Sequence, residues 1–402
     1  MTTTDPRIQE LIALTSGTDV SLATRRLMDI CDDHAELHDL RVEAMRLRAD
    51  YNMGRELGAP ELVGEVGAAF AERARAIASI IAQRVASMRP EPEGATKRLV
   101  FQGTQLTKTF NAGGHRFQLG PVDLELRTGE ITGLVGENGN GKTTLLRQVA
   151  GLLDHSGGAK TYPDAPTHPY LIRQTIAWIP QRSTRWYGTL LQNLRFVAAV
   201  HGITGQANAD RVNYTLHRLG LTRFQHLTWK QLSSGYKLRF ELAKMVVWRP
   251  RILVLDEPIA NLDLQAQQLF LQDLKHLAAS PRNPISVILS SQQLHEIEAI
   301  ADNIIFLKNG KAMFSGAAAS FDQDRSSNVF EIKGEFDRER LRNAIGATNV
   351  LAIDDTGLIL RLTTPRQVTS KEVLKAIGRA ELDVSYFRDI STSTRKLFHQ
   401  DT

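Results

Sequence analysis

Gly136-Glu137-Asn138-Gly139-Asn140-Gly141-Lys142-Thr143-Thr144 lies between an apolar run, Ile131–Val135, that predicts a strand, and a helix-compatible run from Leu145 to Leu153. A strand, a glycine-rich loop and a helix in that order form the context a phosphate loop requires. Glycines at 136, 139 and 141 let the backbone wrap an anion with its N–H groups inward, and the helix N-terminus adds partial positive charge. Lys142 is placed to reach the β- and γ-phosphates of a nucleotide, and the Thr143 hydroxyl to ligate Mg²⁺. A glycine-rich turn that binds nothing is the alternative, and both flanks speak against it.

Downstream, Ile252-Leu-Val-Leu255 delivers Asp256-Glu257-Pro258. Four apolar residues bury a strand and leave two carboxylates at its C-terminal end, where ligands lie in open α/β sheets. Asp256 is suited to hold Mg²⁺, through water, and Glu257 to act as general base on an attacking water. Ile176–Ile179, Ile285–Leu289 and Ile304–Leu307 are further strand candidates. Runs apolar throughout fit strands covered on both faces, and their alternation with helical stretches is an α/β pattern.

Outward from this core the composition changes twice. Between Met1 and about Arg89, Leu27, Ile30, His34, Leu37, Ala44 and Tyr51 recur at helical spacing, and so do Val63, Val66, Phe70, Ala74, Ile77, Ile81, Val85 and Met88. This predicts an α-helical hairpin, broken at Gly54 and Gly58, with a short helix around Pro6–Leu14 before it. Pro60 suits the first turn of the second arm. The polar, proline-bearing run at 90–97 reads as a linker. Beyond Asp324-Arg-Ser-Ser-Asn328 a small α+β domain is expected, with strands Val329–Ile332, Val350–Ile353 and Leu358–Leu362, a hairpin turn at 355–357, and helices Asp337–Ile345 and Ser370–Ala380. The resulting division is an α-helical domain at 1–89, an α/β P-loop cassette at 98–322 with a helical subdomain at about 182–246, and a small α+β domain at 327–402.

The chain has 402 residues, a net charge of +5 and one cysteine, Cys31. The charge permits contact with phosphates or anionic surfaces without specifying it. One thiol excludes an internal disulfide and fits a reducing compartment. Cys31, His34 and His38 stand at near-helical spacing, and buried structural residues are a better reading than a metal site. No stretch of about 18 apolar residues predicts a membrane span. The polar N-terminus is unlike a signal peptide.

Gln231-Leu-Ser233-Ser234-Gly235-Tyr-Lys-Leu-Arg239 resembles the signature sequence of ABC-type ATPases, and the resemblance extends over about Val100 to Gly316. It implies a second anion site, made by Ser233, Ser234 and Gly235 at a helix N-terminus, facing the γ-phosphate held by another copy. Two cassettes would then sandwich two ATPs head to tail. Ser234 and Tyr236 stand where the family has a glycine and a glutamine. Gln181 resembles the Q-loop glutamine that contacts Mg²⁺. Trp186 to Leu194 looks like the stretch that docks on a permease, and Ala260-Asn-Leu-Asp263 like the D-loop. Phe110 is the candidate for stacking on adenine, with Phe117 as its competitor. Where the family has a histidine that contacts the γ-phosphate, this chain has Ser290-Ser291-Gln292-Gln293. Gln292 holds that position, with Gln293 one residue away. His295 is too far along the chain to substitute.

The implied function is the Mg-ATP-hydrolysing subunit of a membrane transporter, driving a separate transmembrane permease by closure of a cassette homodimer. It would lie peripherally on the cytoplasmic face of the cell membrane, with no nucleic-acid partner. The tail, with a final helix expected over Tyr386–Phe398, resembles the C-terminal domain of exporter-type subunits. A ferredoxin-like or dimerisation module is the alternative there. Glutamine can orient a water but cannot become cationic, so hydrolysis is expected to be slow. The competing function is a switch that closes on ATP and rarely turns over.

Overall fold

The computed structural model describes residues 6–16, 20–56, 65–87, 97–112, 115–166, 168–182, 185–260, 262–280, 283–292, 294–321, 327–355, 357, 359–389 and 391. In chain order the elements are α1 (Pro6–Ser16), α2 (Val20–Asp33), α3 (His38–Glu56), α4 (Glu65–Ser87), β1 (Leu99–Ala112), β2 (His115–Arg127), β3 (Ile131–Val135), α5 (Lys142–Val149), β4 (Gly157–Thr161), α6 (Pro169–Arg173) and β5 (Ile176–Ile179). Then follow α7 (Leu190–Val200), α8 (Gly205–Arg218), α9 (Ser234–Val246), β6 (Ile252–Leu255), α10 (Leu264–Ala278), β7 (Ser286–Ser291), α11 (Leu294–Ile297), β8 (Asn303–Lys308) and β9 (Lys311–Ala317). The last are α12 (Ala318–Phe321), β10 (Ser327–Gly334), α13 (Arg338–Ile345), β11 (Ala352–Asp355), β12 (Leu360–Pro365), α14 (Ser370–Arg379) and β13 (Val384–Asp389). Two compact units divide them: Met1–Thr132 with Thr143–Ser290, and Gly133–Lys142 with Ser291–Thr402.

In the first unit β5, β6 and β7 run parallel, with Ile179 opposite Leu255 and Leu255 opposite Leu289. Every residue of β6 is buried, as its unbroken apolar run requires. β1 pairs antiparallel with β2 and with β4. These strands escape the sequence reading because register shifts, among them one between Gly103 and Leu106, interrupt the two-residue alternation that marks a half-buried strand.

Among the described residues the N-terminal region holds four α-helices, α1 to α4, rather than a hairpin with one short precursor. The first arm divides at His34, which is extended (φ −117°, ψ 116°), and a 3-10 turn at Ala35–Leu37 redirects the chain. Leu27, Ile30 and Leu37 are all buried, so the apolar stripe passes through the break unchanged and hides it from periodicity. Gly54 lies inside α3, and Gly58, Pro60, Val63 and the 90–96 linker fall outside the described residues. Leu11, Leu27, Met28, Leu47 and Ile81 share one apolar cluster, to which α8 adds Tyr214. Each such side chain contributes about 1.5–3 kcal/mol on burial. Cys31 belongs to this cluster, and burial pushes its thiol up to about 12, as suits a structural residue.

Within the second unit β8 and β9 form an antiparallel pair. Residues 327–389 form β10-α13-β11-β12-α14-β13 with strand order β11-β12-β10-β13, the ferredoxin-like arrangement, closed over Phe330, Ile332, Leu341, Leu362 and Val373. The helix expected from Tyr386 is corrected: Tyr386–Asp389 belong to β13, paired with β10, and 392–398 lie outside the described residues. Sheet pairing and the contact of Phe387 with Phe330, at 5.7 Å between ring centroids, decide the strand. Thr356 and Leu358 are likewise outside the described residues.

Candidate functional site

Parallel register assembles the carboxylate end of the first unit. Because Leu255 lies opposite both Ile179 and Leu289, the residues that follow, Asp256, Pro180 and Ser290, stand at the same level at the carboxyl end of the three strands. Asp256 and Glu257 are buried. The Thr143 hydroxyl donates to Asp256 Oδ2 at 2.8 Å, and Ser290 Oγ donates to Asp256 Oδ1 at 2.9 Å. Ser290 Oγ also accepts from the Glu257 backbone N–H at 2.8 Å. Gln181 Nε2 donates to Glu257 Oε2 at 2.9 Å. Glu257 takes φ +46°, a left-handed conformation that costs a non-glycine residue roughly 1–3 kcal/mol and persists where the surroundings hold it. Four residues singled out in the sequence, Thr143, Gln181, Asp256 and Glu257, are therefore in one hydrogen-bonded group. Ser290 is the member of this hydrogen-bonded group that sequence reasoning did not single out. Its signal was faint: it is the residue that follows the strand candidate Ile285–Leu289.

In the second unit the loop from Gly136 is already curled. Lys142 Nζ donates to the carbonyls of Gly136 at 2.6 Å and Glu137 at 3.1 Å. Gly139 and Gly141 take φ +83° and +95°, which side chains oppose, and a Cβ on Gly136 would stand 2.5 Å from the Leu307 carbonyl. Asn140 Oδ1 accepts from the Asn309 backbone N–H at 2.9 Å, fixing the loop from behind. Lys142 is buried, held over carbonyls where a phosphate would compete for it. Gln292 is exposed just after β7, while Gln293 lies outside the described residues.

Ser233 is the N-cap of α9; its Oγ accepts from the Tyr236 backbone N–H at 3.5 Å. Ser233 and Ser234 are exposed, and among the described residues a Cβ on Gly235 would meet Ala266 and Leu262, near 4 Å. Asp263 caps α10 through Ala266 N at 2.9 Å, so its side chain has a local structural task. Phe110 is 39% exposed near the end of β1 and faces its competitor: Phe117 is its register partner on β2, with ring centroids 6.5 Å apart.

The donors around Asp256 are oxygens: a carboxylate and two hydroxyls. This chemistry fits Mg²⁺, which needs only one or two carboxylates beside substrate phosphates. It does not suit a soft metal, and among the described residues no group of three His, Cys, Asp or Glu residues could hold one.

A family model described as ABC transporter matches residues 119–260. The chain is 30% identical over 212 residues to an uncharacterized ABC transporter ATP-binding protein of Methanocaldococcus jannaschii, covering 52% of this chain and 75% of that one. It is 27% identical over 286 residues to the daunorubicin/doxorubicin resistance ATP-binding protein DrrA of Streptomyces peucetius, covering 69% and 85%. Among solved structures, CbiO1 of Clostridium perfringens, part of the ABC transporter complex CbiONQ, superposes with a TM-score of 0.50 at 23% identity over 56% of this chain and 91% of that one. That likeness concerns the fold.

Proposed function

The chain belongs to the ABC transporter ATP-binding proteins, and from that premise we propose that it is the Mg-ATP-hydrolysing motor of an exporter whose membrane-spanning helices reside on a separate permease. The observation that carries this reading is the buried pair Asp256 and Glu257, each held by neighbouring side chains. Residues Gly136 to Thr144 take the phosphates, with Lys142 exchanging its carbonyl partners for β- and γ-phosphate oxygens. Thr143, Gln181 and Asp256 would hold Mg²⁺. When bound, the metal would neutralise charge developing on the phosphate oxygens.

Glu257 accepts a proton from the water that attacks the γ-phosphorus as the bond to the ADP oxygen breaks. Gln181 occupies Oε2 of Glu257 and fixes the carboxylate's orientation. Gln292 orients the water through its amide without supplying positive charge, so turnover is slow. Phe110 stacks on adenine. Ser233, Ser234 and Gly235, exposed at the start of α9, contact the γ-phosphate of a second copy, and Asp263 lies at that homodimer interface.

Among the described residues no helix is long and apolar enough to cross a membrane. Tyr187 is 95% exposed, and Phe196 and Val200 are exposed along α7, an apolar surface suited to a permease. Resemblance to a drug-resistance ATP-binding protein over most of its length supports export. The chain then works peripherally on the inner face of the cell membrane, without nucleic acid. Its domains run 1–89, 98–322 and 327–402. A switch that closes on ATP and seldom hydrolyses it is the second reading, favoured by Gln292 alone.

The test is Mg-ATPase activity of the purified chain with its co-purified membrane partner. Glu257→Gln should lower the rate by about two orders of magnitude or more while ATP-dependent dimers persist. Equal rates sink Glu257 as the base. Absence of any polytopic partner from membrane preparations sinks the exporter reading.

A further inference from the structure

Helices α7, α8 and α9 leave the sheet between two neighbouring strands. β5 ends at Ile179, β6 begins at Ile252, and the two pair in parallel, so the helical excursion departs and returns at adjacent places. Its three helices pack on one another, and α9 also packs against β5. This block carries Ser233–Gly235 at the start of α9, whereas Asp256 and Glu257 follow β6. A block joined to a sheet by two connectors can turn as a unit unless other contacts hold it.

α2 supplies such contacts, on both sides. Toward the block, Asp29 Oδ1 accepts from Arg218 Nε of α8 at 2.5 Å, and Asp32 Oδ2 accepts from Arg249 Nη2, just beyond α9, at 2.7 Å. Tyr214 of α8 is buried in the apolar cluster of the N-terminal helices, its hydroxyl 3.5 Å from both the Met28 carbonyl and Asp29 Oδ1. Toward the sheet core, Arg25 donates to both oxygens of Asp273 on α10 at 2.9 and 3.0 Å. Ser280 Oγ, past the end of α10, donates to Asp33 Oδ1 at 2.7 Å.

The ties close on themselves. Arg218 Nη1 also donates to Asp273 Oδ1 at 2.6 Å, so α2, α10 and α8 are joined pairwise through Arg25, Asp273, Arg218 and Asp29. The side chains of Arg25, Asp273 and Arg218 are only 2%, 2% and 3% exposed. Pulling apart a pair so buried leaves charges uncompensated, so the network favours one relative placement of the three helices. Arg25, Asp29, Asp32 and Asp33 stand at i, i+4, i+7 and i+8 along α2, the spacing that puts them on one helix face.

We propose that α2 is a brace between the helical block and the sheet core, with Asp29 and Asp32 as positioning residues that fix Ser233–Gly235 relative to Asp256 and Glu257. This gives the N-terminal helices a task beyond ATP hydrolysis itself. Only its consequence rests on the proposed head-to-tail pairing. In such a pair each copy engages the other through both places at once, and a fixed setting lets the second contact follow the first without further ordering.

The experiment uses the full chain and two readouts. Nitroxide labels at Ala207→Cys on α8 and Gln268→Cys on α10, both exposed, report the distance between block and core by pulsed electron resonance, in a Cys31→Ala background without nucleotide. Asp29→Ala with Asp32→Ala should widen the distance distribution. Ile81→Ala opens a cavity in the same helices and cuts no tie, so it should leave the distribution unchanged. The second readout is ATP-dependent dimerisation in a Glu257→Gln background, followed by light scattering during gel filtration. The double variant should raise the dimer dissociation constant about tenfold or more, while fluorescent-ATP binding to the monomer stays within about twofold. Asp32→Glu keeps the carboxylate and should match the unsubstituted chain.

A distribution no wider in the double variant than in Ile81→Ala overturns the brace. A wider distribution with unchanged dimerisation overturns Asp29 and Asp32 as positioning residues. Should Glu257→Gln form no ATP-dependent dimer, the head-to-tail reading fails and the distance measurement alone decides the brace. Should the double variant fail to fold, Asp32→Ala carries the same comparisons, since the Asp32 side chain is 13% exposed and its loss frees Arg249 alone of the two ties to the block.

Discussion

Replacing Ser290 by alanine removes a single hydroxyl from the end of β7, and two bonds go with it. One is donated to the Asp256 carboxylate at 2.9 Å, and the other accepts the Glu257 N–H at 2.8 Å. Ser290 is 0% exposed, so water does not stand in for the lost oxygen. A hydrogen bond to a charged group contributes about 1.5–3 kcal/mol, and a buried N–H left unpaired costs about 1–3 kcal/mol. The two overlap, and a stability loss of about 2–4 kcal/mol is expected. Function should suffer more. The left-handed turn at Glu257 is held through this N–H, and without it the backbone can relax and carry the carboxylate away. Displacement of a reacting group by about 1 Å costs on the order of 10²-fold in rate. The kcat for ATP should therefore fall about a hundredfold, while KM stays within about twofold because the phosphate loop is intact. Urea unfolding followed by circular dichroism and steady-state ATPase assays read the two effects. Wild-type kcat beside a lowered urea midpoint would refute the positioning role and leave Ser290 as a packing residue.

Asp273→Asn should destabilise the chain by about 3–5 kcal/mol, since it leaves the buried Arg25 and Arg218 without their shared carboxylate; calorimetric unfolding measures this, and an unchanged Tm contradicts it. Gln292→His should raise single-turnover hydrolysis by about tenfold or more, and an unchanged rate would mean that position 292 does not reach the attacking water. Burial raises the Asp33 carboxyl from its ordinary 3.8 to about 6, partly opposed by its bond from Ser280. The fold therefore binds this proton more tightly than the unfolded chain does. Its contribution to stability is full at low pH and is lost as pH rises from about 4 through about 6. Asp33→Asn should remove that loss, so the urea midpoint of wild type relative to the variant must drop between about pH 5 and about pH 7.5; parallel behaviour would be the contrary result.

Much of the cassette was legible because its determinants are local. Ile131–Val135, Ile176–Ile179 and Ile252–Leu255 are strands with the limits their apolar runs suggest. A phosphate loop is equally local, for its glycines, lysine and threonine act within nine consecutive residues. The break at His34 was not legible, since a 3-10 turn kept the apolar stripe in phase. Nor was β13, where an amphipathic tail segment is compatible with either period until β10 offers it partners.

The sequence by itself determined the family and the candidates for its chemistry: which residues are proposed to meet phosphate, which carboxylates follow a buried strand, and where glutamine stands in the place of the family's histidine. Only the tertiary structure decided what holds those groups. Parallel register puts Ser290 beside Asp256, and no spacing rule connects residues on different strands. Folding also brings Arg25, Arg218 and Asp273 into contact, although they are far apart in the sequence. Charge balance inside a protein depends on burial and distance, and these are properties of the folded chain rather than of its composition.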